Sequence, residues 1–374
     1  MVSLTRRVSF LYLFIFTLSF LSSCHVSRYF YWNFADVNDY RKFGADTIDN
    51  ELTTFHFESA HENLRFDLPE KYSTYDNFTG FDDFLKATKT LSFLVIRHDT
   101  VIYSNYFKGY DSSSVFSSFS ISKSFISALI GIALEEGVIK SLDQSVTEFI
   151  PEMKDPGFSK VTIKDLLEMR SGIKFKEGYA DPFSGMAKFY YGRNLRKYTL
   201  NLKVVSEPGQ SYNYQSANSQ ILAMILERAT GMKISDYLEE KIWKPLGMEN
   251  RATWNVDSKK FNEVKAFCCI NATSIDFAKF GRLYLDSGKW DDHQIIPEEW
   301  ITESLQIKND SRDSQGFPYT YLWRSLENGD FFAKGILGQY IYICPQKEII
   351  IVRTGANGKD VIWPHFFREI ISQL

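Results

Sequence analysis

The feature that most constrains the fold is the placement of β-rich runs at both ends of a long helical stretch. Leu91 to Ile96 and Val101 to Phe107 are β-rich, and Arg97-His98-Asp99-Thr100 between them reads as a hairpin turn. The next strand candidates come late: Tyr319 to Trp323, Phe331 to Ala333, Tyr340 to Ile343 and Glu348 to Arg353, before a closing helix from Trp363 to Leu374. The stretch from Ser141 to Trp300 reads as mostly helical. Thr162-Ile163-Lys164-Asp165 is a capping-box-like start, Ser219 to Ala229 is closed by Gly231, Ser235 opens another helix, and a further one covers Ser274 to Leu285. This order predicts an α/β (α+β) fold. One antiparallel sheet is assembled from the two termini, with helices on its faces and a helical subdomain, about 141–300, beside it. No repeat or low-complexity linker separates that insertion, so residues 81–374 form one composite unit.

Before this unit the chain has two other parts. Arg6-Arg7 precede an apolar run from Val8 to Leu21, followed by Ser22-Ser23-Cys24. The run is short for a bilayer-spanning helix, which needs about 20 residues. Its charged start, apolar middle and small-residue end are those of an export signal over 1–23. Leu21-Ser22-Ser23-Cys24 resembles a bacterial lipoprotein box, which implies lipidation of Cys24 and a membrane-anchored protein on the periplasmic or cell-surface side. Residues 24–80 read as a tether and an extension that packs on the domain surface. A net charge of −3 gives no sign of a nucleic-acid partner. The remaining cysteines are Cys268, Cys269 and Cys344. The adjacent pair is not expected to bridge easily, whereas one of them could pair with Cys344. No metal-ligand spacing occurs, and no metal or cofactor is expected. The oligomeric state stays open.

The chemistry-bearing stretch opens a helix. Ser120 and Lys123 form a Ser-x-x-Lys pair, and Ile121, Phe125, Leu129 and Ile132 follow at helical spacing until Glu135-Glu136-Gly137. A separation of three puts both side chains on one face, one turn apart. A serine hydroxyl needs a neighbouring base to become a nucleophile, and an amine serves once its setting favours the neutral form. Ser171-Gly172-Ile173-Lys174 matches the same short pattern but reads as a turn. Farther on, Pro208-Gly209 marks a turn that puts Tyr214 on a loop, just before the helix from Ser219. A phenol beside an ammonium ionises more readily and can relay a proton.

Ser120-Ile121-Ser122-Lys123, Pro208-Gly209 with Tyr214 after four intervening residues, Ala229-Thr230-Gly231 and Lys244-Pro245-Leu246-Gly247-Met248 together resemble the serine β-lactamase-related superfamily. That group holds class C β-lactamases, D-alanyl-D-alanine carboxypeptidases, esterases and aminohexanoate-oligomer hydrolases. The resemblance implies a β-lactamase/transpeptidase-like fold and an acyl-enzyme mechanism. Ser120 would be the nucleophile, Lys123 and Tyr214 would share the base and acid roles, and the N–H groups of Ser120 and Ile336 would form an oxyanion hole. Three departures point away from β-lactams. Tyr214-Gln215-Ser216 replaces Tyr-x-Asn, as in the esterase and aminohexanoate branch. Tyr179 in Gly178-Tyr179-Ala180 loosely matches a substrate-contacting tyrosine of that branch. Ala333-Lys334-Gly335 stands where Lys-Thr-Gly is expected, with Lys334 turned to the opposite face of its strand. Gly335 would still let the strand come close.

The expected activity is hydrolysis of a small-molecule ester or amide, with Ser216, Tyr179 and Gly335 among the substrate-binding positions. A β-lactamase or DD-peptidase, or a non-catalytic surface lipoprotein, are the alternatives. A Ser-His-Asp hydrolase is disfavoured, since there is no Gly-x-Ser-x-Gly elbow. Asn271 and Asp276 read as helix-capping residues.

Overall fold

The computed structural model describes residues 25–32, 34–73, 78–308, 310–357 and 361–374. The signal-like run and Cys24 lie outside the described residues. In chain order the strands are β1 Ala45–Ile48, β2 Glu58–Ser59, β3 Thr90–Arg97, β4 Thr100–Tyr106, β5 Phe116–Ser117, β6 Ala252–Asn255, β7 Ile270–Ala272, β8 Lys289–Trp290, β9 His293–Gln294, β10 Tyr319–Thr320, β11 Trp323–Ser325, β12 Phe331–Gly335, β13 Gln339–Cys344 and β14 Ile349–Gly355. The helices that build the core and the site are α1 His25–Trp32, α2 Phe81–Ala87, α3 Ser122–Glu135, α4 Gly185–Tyr191, α5 Ser216–Thr230, α6 Ser274–Leu285 and α7 Trp363–Ile371.

The main sheet runs β10-β11-β12-β13-β14-β3-β4-β2 and joins the two ends of the chain as expected. Its neighbours are antiparallel except β2, which lies parallel to β4. At its centre Val352 faces Leu94 and Ile350 faces Ile96. Alternation sends Leu94 and Ile96 to one core with Phe125 and Phe280, while Phe93 and Val95 enter a second core with Trp363, Phe366 and Phe367. Burial on both faces explains why β3 is apolar at nearly every position. The hairpin between β3 and β4 turns through His98 and Asp99, both at positive φ (47° and 55°).

On the first face α6 lies against β13 and β14, and a side chain on Gly281 would meet Ile341 and Ile350 at 2.9 Å. Phe280 of α6 stacks on Phe125 of α3 with ring centroids 3.7 Å apart, fixing α3 in the middle of the molecule. The capping box Thr162–Asp165 and the left-handed Gly231 that closes α5 occur as read from the sequence.

Four expectations are corrected. The insertion is not only helical: it supplies β6 and β7 to a second sheet, β1-β6-β7-β5, and the small β8–β9 hairpin. The single run Tyr319 to Trp323 is two strands, because Tyr321 and Leu322 take positive φ (42° and 70°) and fold the chain back. Third, Cys268 and Cys269 are bonded to each other and Cys344 is free. Cys269 adopts φ 78°, which turns the backbone between the neighbours, whereas Cys344 lies in the second core, across the sheet from the pair. Asn271 sits within β7 and bonds Asn255 and Thr253 rather than capping a helix. Asp276 does belong to a cap, closed with Thr273 at the start of α6.

Candidate active site

The turn ahead of α3 is held from two sides. Ser117 of β5 pairs with Asn271, and the Ser118 N–H donates to the Ile270 carbonyl at 2.8 Å. Phe119 then takes φ 45°, a conformation uncommon for a bulky side chain, and it delivers Ser120 into a pocket. One turn on, the Lys123 ammonium is 3.0 Å from Ser120 Oγ and donates to the Phe267 carbonyl at 2.7 Å. Lys123 is buried, so these contacts replace much of its hydration. Its nitrogen lies 5.3 Å from the centre of the Tyr214 ring. The three residues singled out from far-apart stretches thus meet in space.

Tyr214 is placed by its neighbours in sequence. Asn213 N–H donates to the Met169 carbonyl at 2.8 Å, and the buried Gln215 amide reaches the carbonyls of Ile173 and Phe175. On its other side stand Tyr319, edge-on at 5.8 Å, and the buried Arg324, whose guanidinium lies 5.8 Å from the Tyr214 ring centre. Arg324 donates to Asp313 at 2.6 Å. Burial works against the Asp313 carboxylate, yet Arg324 outweighs it and holds the group below its ordinary pKa.

At Gly335 the strand does come close to the turn before α3. A Cβ there would stand 2.4 Å from the Ser118 carbonyl and 3.1 Å from Phe119 Cβ, so only glycine lets β12 lie against the turn that carries Ser120. Ile336 follows and lines the same pocket as Ser120. Ala333 is buried in the first core, while Lys334 lies on the opposite face, in register with Tyr340. Even so Lys334 edges the outer cleft, where burial and Arg324 lower its pKa to about 8.

Tyr179 lines both the inner pocket and the outer cleft, and its hydroxyl donates to Glu177 at 2.8 Å. Ser216 is buried, and its hydroxyl and N–H both donate to Glu177, at 2.6 and 2.7 Å. Ser216 therefore ties the start of α5 to the Tyr179 loop. Glu177 itself carried no signal in the sequence beyond standing two residues before Tyr179. Two other contributors were also hidden. The Phe267 carbonyl belongs to a loop pinned by Trp254, whose indole N–H donates to Cys268 O at 2.8 Å, and by Gln220. Ala35, from the extension read as surface packing, lines the pocket beside Ser120.

The inner pocket is tight, about 30 Å³, and is walled by Met186, Tyr190, Tyr191, Phe267 and Cys268. The outer cleft is far larger, about 650 Å³.

Comparison with known proteins agrees with this architecture. The 6-aminohexanoate-dimer hydrolase of Paenarthrobacter ureafaciens is 27% identical over 301 residues, covering 75% of this chain and 74% of that protein. A Bacillus anthracis protein named for the same hydrolase has a solved structure that matches with a TM-score of 0.79 at 24% identity, covering 92% of this chain and 93% of that one. A class C beta-lactamase mutant superposes with a TM-score of 0.60 at 16% identity, over 80% of this chain and 96% of the other. The Beta-lactamase family model matches residues 81–357. The chain belongs to the Beta-lactamase family and is a serine hydrolase of that group.

Proposed function

We propose that the protein cleaves a small ester or a linear amide through an acyl-enzyme on Ser120. The observation that carries this reading is the Lys123 nitrogen 3.0 Å from Ser120 Oγ, with the Tyr214 ring beside it. In the neutral form Lys123 accepts the Ser120 proton as Oγ attacks the carbonyl carbon. The oxyanion is met by the N–H groups of Ser120 and Ile336. Lys123 and Tyr214 then pass the proton to the leaving alcohol or amine, and a water reverses the sequence to release the acid. The two groups act as one proton-sharing unit. A linear amide is favoured by the aminohexanoate-dimer relative, and the buried Ala333 leaves β-lactam handling without its expected cation. The basic, apolar and small-residue order of residues 6–24 supports export and lipidation of Cys24.

Fluorophosphonate labelling tests the nucleophile. Wild type is expected to label and Ser120→Ala to remain blank; equal labelling of both would overturn the assignment. Nitrocefin turnover at Ser120 comparable with ester turnover would move the substrate to the β-lactam class. Palmitate incorporation that persists in Cys24→Ala would remove the anchor.

A further inference from the structure

Helix α1, His25–Trp32, follows Cys24 in the sequence and is two-faced. Inward, Tyr29 is buried, meets Tyr191 edge-on at 5.3 Å and donates its hydroxyl to the Tyr179 carbonyl at 3.3 Å. Trp32 packs on Phe43 at 5.4 Å. Outward, Phe30 is 68% exposed and Tyr31 83%, and Phe34 beyond the helix is 55% exposed. The neighbouring loop adds Phe183 at 77% and Tyr179 at 39%. That loop lies along α1, since Tyr29 of the helix donates to the Tyr179 carbonyl. Among the described residues Phe261 is the one other large aromatic with comparable exposure. Exposed aromatics are thus concentrated around α1 and the 179–183 loop.

Two further observations identify what covers them. Residues 8–21 upstream are apolar, and Phe30 and Tyr31 follow position 24 by only six and seven residues, so a lipid held at position 24 keeps this face near the bilayer. Phe34 and Tyr179 also line the outer cleft, so the aromatic face and the cleft mouth share one side of the molecule. Aromatic side chains favour the membrane–water boundary, and a lipid anchor is made firmer by a second, apolar attachment. We infer that the aromatic face formed by Phe30, Tyr31, Phe34 and Phe183 rests on a lipid bilayer and opens the catalytic cleft at the membrane surface. This rests on the anchored reading above. It makes the natural substrates amphiphiles that reach the cleft from the lipid side.

The test uses the full chain reconstituted into phosphatidylcholine–phosphatidylglycerol vesicles, with or without nitroxide-labelled acyl chains. An environment-sensitive fluorophore is attached at Tyr31→Cys or Phe183→Cys, and at the exposed controls Leu52→Cys and Val205→Cys, with labelled wild type as background. Ester turnover by each variant certifies its fold. Vesicle flotation reports anchorage and quenching reports docking. The inference expects co-flotation with severalfold stronger quenching at 31 and 183 than at 52 and 205. Co-flotation with equal quenching at all four sites would overturn the docking inference and leave the anchor standing. The same holds if positions 31 and 183 are shielded by a second copy, seen as cross-linked dimers without quenching. Failure to float would overturn the anchor and the inference with it.

Discussion

Replacing Gly335 by alanine tests how closely β12 must approach the turn that carries Ser120. The added Cβ would sit 2.4 Å from the Ser118 carbonyl oxygen, and ordinary contact begins at 3.4 Å, so the two backbones must part by 1.0 Å. Neither side yields cheaply. Ser118 is tied to Ile270, Gly335 pairs with Gln339, and Phe119 Cβ and Gln339 Cβ crowd the same spot at 3.1 Å. Overpacking of this kind costs about 1–3 kcal/mol of stability, a loss that a domain of this size can survive. The kinetic cost is larger. Misplacing a reacting geometry by about 1 Å lowers rates by about 10²-fold, and loss of one oxyanion donor by about 10²–10³-fold. Gly335→Ala is therefore expected to lose about 10²–10³ in kcat on a p-nitrophenyl ester, with a modest fall in Tm. Gly80→Ala, where nothing lies within 4 Å, is the matched control. A folded Gly335→Ala protein with kcat within about threefold of wild type would refute the oxyanion role of this strand, since that role predicts at least about 10²-fold.

Other expectations follow from groups around the site. Glu177→Ala strips the buried Ser216 hydroxyl and N–H and the Tyr179 hydroxyl of their shared acceptor. Thermal melts should show a loss of about 2–4 kcal/mol, and KM should rise more than kcat falls. Cys268→Ser/Cys269→Ser should slow turnover, because the Phe267 carbonyl that holds Lys123 adjoins the pair; Cys344→Ser, across the sheet, should not. Unchanged kinetics in the double variant would remove that link. Burial and then the Glu263 carboxylate raise Glu227 from the model-compound value of 4.5 to about 7 in the fold. The folded state therefore binds this proton more tightly, and the associated stability is complete below pH 4.5 and lost as pH rises through 7. Glu227→Gln, which cannot ionise, should match wild type near pH 4.5 and exceed it by about 1–2 kcal/mol at pH 8, discounted for partial exposure. Equal denaturation midpoints at both pH values would contradict this.

How much was legible in the sequence depended on whether the signal was local. The β3–β4 hairpin and α6 were readable because apolar spacing and turn residues lie within a short window. Ser120, Lys123 and Tyr214 were found as an ordered set, although only Ser120 and Lys123 are neighbours in the chain. What escaped were interactions made by backbone atoms or by residues with no distinguishing neighbourhood. A carbonyl such as that of Phe267 has no sequence mark, and Glu177 looks like any loop carboxylate until Ser216 meets it. The cysteine pairing was misjudged because a left-handed residue at position 269, which rotates the peptide between the sulfurs, leaves no trace in composition. The split of the Tyr319–Trp323 run arose likewise from two non-glycine residues at positive φ.

The central ladder joins Thr90–Arg97 to Ile349–Gly355, with the whole helical insertion between them. Ser120 leaves the ribosome early, but the strand carrying Gly335 and its neighbour in the middle of the sheet are synthesised near the end. An incomplete chain carries the Ser120 turn without the strand that packs against it, so the candidate site is assembled only when synthesis is almost finished. Until then β3 lacks its central partner β14 and the closing helix that covers Phe93 and Val95, which leaves apolar surface in need of a holdase.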